Sequence, residues 1–156
     1  MKVVTILVAL LVGCATEVVD DVEHPASLEL GAGSWRFEPL ADGEELELIR
    51  GAQGGWHVWI SLRTRGLGDD PVVTLSLQPE DESREPSVTH VRPNLDPEDD
   101  EGYRDLVGHT QIIDEPSCMV GEMMHLEASV EVDGEVLRSD RYFVVLGGAF
   151  PPPSCE

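Results

Sequence analysis

The sequence predicts an all-β protein, an antiparallel β-sandwich of seven to nine short strands. From Ser27 onward apolar residues recur with period two, not with the 3.6 spacing of a helix. Gly, Pro and Asp interrupt that pattern at short intervals, as turns between short strands require. One pair of strands also carries an explicit hairpin signature at Asp133-Gly134, the dipeptide favoured in two-residue turns.

The elements follow in order. Leu28 and Leu30 alternate with polar neighbours, as do Trp35 and Phe37, then Leu46 and Leu48. Between Gly55 and Arg65 the residues Trp56, Val58, Ile60 and Leu62 share one face, and His57, Trp59, Ser61 and Arg63 share the other. Val73, Leu75 and Leu77 continue the alternation. Pro79–Pro86 and Asn94–Gly102 are polar connections, the second carrying the acidic run Asp96-Pro97-Glu98-Asp99-Asp100-Glu101. Met124, Leu126, Ala128, Val130 and Val132 lead into the Asp133-Gly134 turn, and Val136, Tyr142, Val144 and Leu146 follow on the return strand.

A chain of 156 residues is of one-domain length. Its first residues have the three-part export pattern: a cationic start at Lys2, an apolar run from Val3 to Val12, and small residues at Gly13, Cys14 and Ala15. The run is shorter than the roughly 20 residues a bilayer-spanning helix needs. Leu11-Val12-Gly13-Cys14 is similar to the lipobox of bacterial lipoproteins, with Val12 where Ala or Ser is usual. That resemblance implies cleavage before Cys14, a diacylglycerol on its sulfur and usually a third acyl chain on the new amino group. Such multiple acylation is a stable bilayer anchor without a spanning helix. By the same resemblance Ala15, in place of the Asp of inner-membrane lipoproteins, points to the outer membrane. Ordinary secretion is the alternative, because Gly13 and Ala15 also satisfy the small-x-small rule for cleavage after Ala15.

Residues 1–13 are thus a signal peptide, 14–26 a lipidated N-terminus and acidic tether, and 27–156 a single sandwich domain. The tether reaches about 40 Å when extended. Over roughly residues 27–150 the strand and turn spacing resembles immunoglobulin-like domains of periplasmic proteins and lipoproteins, without the Cys, Trp, Cys spacing of antibody domains. With Cys14 lipidated, Cys118 and Cys155 are left in an oxidising compartment, and a disulfide between them is expected to pin the C-terminal tail.

The net charge is −21, and removal of Lys2, the only lysine, takes it to −22. Such a field repels phosphate backbones and anionic headgroups, so nucleic acid is not an expected partner. The expected partners are the bilayer, through the anchor, and an envelope protein or glycan.

No Gly-x-Ser-x-Gly elbow, Cys-His pair or Ser-x-x-Lys pair occurs, and neither an enzyme nor a cofactor is expected. The acidic run fails the calcium-loop pattern, with Glu101 at the position that needs Gly and Val107 at the position that needs a bidentate Glu. A second reading is a carrier of copper or another metal, with Met123 and His125 pointing away from the Met124 face and His57 joining them if its strand is a neighbour. Gly54-Gly55-Trp56-His57-Val58-Trp59 is the most distinctive segment, and Trp56 and Trp59 are candidates for a binding surface toward sugar or peptide.

Overall fold

The computed structural model describes residues 25–68, 70–80, 84–149, 152, 154 and 155. The signal peptide, Cys14 and the first part of the tether lie outside the described residues. Ten strands and one short helix follow in the order β1 (Ser27–Ala32), β2 (Glu38–Pro39), β3 (Glu44–Glu47), β4 (Ile49–Arg50), β5 (Trp56–Arg65), β6 (Val73–Pro79), β7 (Ser87–Val91), β8 (Arg104–Ile112), α1 (Pro116–Met119), β9 (Met123–Val132) and β10 (Glu135–Leu146). They form two sheets packed face to face, an all-β sandwich as the periodicity predicts. Two strands are two-residue pieces, which accounts for a count above nine.

In sheet A, β5 is central: β1 runs along Ile60–Arg65 and β4 along Trp56–His57 on one side, and β8 lies on the other. β2 pairs with the far side of β1 at Gly31 and Ala32. Sheet B has the order β3-β10-β9-β6-β7. All its pairings are antiparallel except one, β3 beside β10, which is parallel and joins residues 44–47 to 143–146. The sandwich is therefore mixed at that edge.

The core is what the alternation predicts. Val58, Ile60 and Leu62 of β5 meet Leu75, Leu126, Ala128, Phe143 and Val145 of sheet B, all of them fully buried. Burial on this scale stabilises by about 1.5–3 kcal/mol for each large apolar side chain. Leu46 and Leu48 are buried where the chain crosses from sheet B to sheet A, and the Leu48 amide donates to the Leu146 carbonyl at 2.9 Å. The Leu30 amide donates to Ser139 Oγ at 3.1 Å, tying the two sheets together.

One difference from the sequence reading, and two features it left open, have physical causes. Trp35 and Phe37 do not form a strand: β1 stops at Ala32, and residues 34–36 are a bend that leaves Trp35 94% exposed and Phe37 buried. On β10 the inward residues are Leu137, Phe143 and Val145, so Val136, Tyr142, Val144 and Leu146 form its outward set. β8 has no clean period two because Gly108 makes a bulge opposite β5, shifting the register between Ile60 and Leu62.

Candidate functional site

The outward side of β5 carries His57, Trp59, Ser61 and Arg63, and the 33–36 loop is fastened over part of it. Ser61 Oγ donates to the Gly33 carbonyl at 2.9 Å. Gly108, at φ 71°, lies so close beneath the loop that a Cβ there would meet the Ser34 carbonyl oxygen at 2.9 Å. Beyond the bend, Phe37 tucks back under the Arg63 guanidinium, 4.4 Å from its ring centre, and Arg63 is held by two 2.9 Å hydrogen bonds to Asp105. Trp35 thus stands in solvent on a loop anchored at both ends.

Across from this loop runs β3, and between them is a groove of about 530 Å³. Its lining includes Trp35, Trp59, Glu38, Glu44, Glu45 and Glu47. All four residues of β3 line it, although successive side chains of a strand point to opposite faces. The wall is therefore the edge of the strand, not one of its faces. Among the described residues β3 pairs with β10 alone and is an edge strand of sheet B, and the groove lies along it.

The groove is acidic. Four glutamates face one cation, Arg36, whose Nε donates to Glu38 at 2.8 Å. Glu44 accepts from the Ala41 amide at 3.0 Å, and Glu47 from the Ala149 amide at 3.3 Å, so both ends of the wall are positioned from the backbone. Two large aromatic rings beside these carboxylates make a surface suited to a ligand with both apolar area and positive charge.

Of the residues singled out from the sequence, Trp59 lines this groove and Trp56 does not, because Trp56 packs against the core from the inward side of β5. His57 is buried, meets Trp59 edge-on at 4.7 Å, and leaves Nε2 without a hydrogen-bond partner; burial pushes its pKa below the ordinary histidine value. The trio proposed for a metal is not brought together. β5 neighbours β1, β4 and β8, whereas β9 neighbours β10 and β6, so His57 is on the outside of sheet A and Met123 and His125 are on the outside of sheet B. The core separates them. His125 instead stacks on Tyr142 at 4.6 Å, with Nε2 3.5 Å from Asp140. Among the described residues no group of three His, Cys, Asp or Glu side chains converges to hold a metal ion.

In the acidic run, Asp99 Oδ1 accepts from the Glu101 and Tyr103 amides, at 2.9 and 2.8 Å, and so shapes its own turn. Cys118 and Cys155 are joined, with their Cα atoms 4.8 Å apart, inside the range a disulfide requires. Trp35 and the β3 glutamates were missing from the sequence-based set. The local signal was there in Trp35, but alternation with Phe37 reads as a strand, and the meeting of residues 33–38 with 44–47 across two sheets has no local pattern.

What fold and groove define is a class: a two-sheet all-β domain with an aromatic, acidic groove along one open sheet edge. No family model matches the chain, and no curated protein matches its sequence.

Proposed function

We propose that the protein is an exported, lipid-anchored binding or assembly module of the cell envelope, held at the outer membrane through Cys14, and that it works through the groove between Trp35 and β3 and not by catalysis. The observation that carries this reading is Trp35 itself. A tryptophan 94% exposed, on a loop held at Gly33 by Ser61 and at Phe37 by Arg63, offers a large ring with only two side-chain torsions to order when a partner covers it. Tryptophan is enriched among the few residues that carry most of the energy of a binding surface. The apolar run and the Leu11–Cys14 match support the anchor. The order β10-β9-β6-β7, with β5 beside β8 in the other sheet, supports an immunoglobulin-like connectivity, in which loops and edges commonly carry binding.

The test is photo-crosslinking in intact envelopes, with a photoreactive residue replacing Trp35 or, as a control, the exposed Val136 at the hairpin end. Position 35 is expected to give discrete adducts in the membrane fraction and Val136 none. A Cys14→Ala change is expected to move protein and adducts to the soluble fraction. Equal adducts from both positions, or none from 35, would overturn the groove, and membrane retention of Cys14→Ala would overturn the anchor.

A further inference from the structure

We infer, resting on the groove as the binding site, that its occupant is a basic, extended segment of another protein that adds to sheet B as a strand along β3. Three observations lead there. The groove wall is a strand edge, and an unpaired edge offers alternate backbone N–H and C=O groups to an incoming strand. Glu44, Glu45, Leu46 and Glu47 include no proline to block that pairing. At about 3.3 Å per residue the four-residue edge spans roughly 13 Å, enough to register a short peptide.

The charge selects the partner. A second copy of the chain docked edge to edge would set Glu44, Glu45 and Glu47 against themselves. The protein's own tether, residues 14–26, contains Glu17, Asp20, Asp21 and Glu23 and no Lys or Arg, so it is repelled as well. A segment with Lys or Arg at alternate positions meets Glu45 and Glu47, which share the outward face of β3, and turns its intervening apolar residues toward the side of the groove that Trp35 and Trp59 line.

Tryptophan emission of the full-length protein in neutral detergent is the readout. The probes are a capped seven-residue peptide alternating lysine with valine, its glutamate counterpart, and two N-methylated forms of the lysine peptide, each methylated on one alternate set of residues. The lysine peptide is expected to shift the emission saturably and the glutamate peptide not to. Methylation of the set facing β3 removes hydrogen bonds and is expected to weaken binding roughly tenfold or more, while methylation of the other set leaves it unchanged. Glu45→Gln with Glu47→Gln is expected to weaken binding and flatten its salt dependence, with the circular dichroism of the fold unaltered. Identical behaviour of the two methylated peptides, or no shift with the lysine peptide, would overturn strand addition. In the second case, adducts from position 35 would leave the groove standing as a site for other chemistry.

Discussion

At the scale of single residues, two histidines tie stability to pH. His57 is buried on the outside of sheet A, and His109 is paired with Ile60 in β8; burial lowers the pKa of both. In the unfolded chain each takes up a proton near pH 6.5. The folded state resists that proton until lower pH, so the unfolded state binds more protons in this window and stability falls as pH falls. Urea midpoints are expected to decline below about pH 6.5, and His57→Leu with His109→Leu to make that decline shallower. Parallel curves for the two proteins would refute the assignment. The same residues show what a sequence reveals and conceals. Period two correctly turned His57, Trp59, Met123 and His125 outward, but a sandwich has two outsides, and nothing local says which sheet a strand joins. For that reason Trp59 was legible as a surface residue and the proposed metal trio was not excluded until the pairing was known.

At the scale of elements, the β9–β10 hairpin is the part most fully written in the sequence. Asp133 and Gly134 have φ of 51° and 84°, so both central residues are left-handed and the turn is type I′, matching the twist of the strands it joins. A side chain at Gly134 would meet nothing within 4 Å. Gly134→Ala is therefore expected to cost only the backbone penalty, about 1–2 kcal/mol, read as a lower urea midpoint with an unchanged slope; an unchanged midpoint would contradict the turn assignment. The inward set of β10 was also recoverable. A two-residue turn sets Val132 opposite Glu135, which puts Val130 opposite Leu137 and Met124 opposite Phe143. Counting register from the turn thus finds the core face of β10. β8 was less legible because the Gly108 bulge resets which of its residues face inward.

At the scale of the whole molecule, two long connections close the domain. The first is the Cys118–Cys155 bridge, across a sequence separation of 37, which holds the tail beside α1. By the chain-entropy argument a loop of this length contributes about 4 kcal/mol. Reduction is thus expected to lower Tm by on the order of 10 °C, and a Tm indifferent to reductant would show that the tail carries no share of stability. The second is the parallel pairing of residues 44–47 with 143–146. Its consequence lies in time. Whether a chain emerges from a ribosome or is threaded through a membrane pore, its N-terminal end comes first, and β3 has no partner until the end of the last described strand has followed. Sheet B therefore stays unfinished for the whole passage, and such non-local closure is intrinsically slow. Of all the pairings, the closure of this edge is the one that must wait for the end of the last strand.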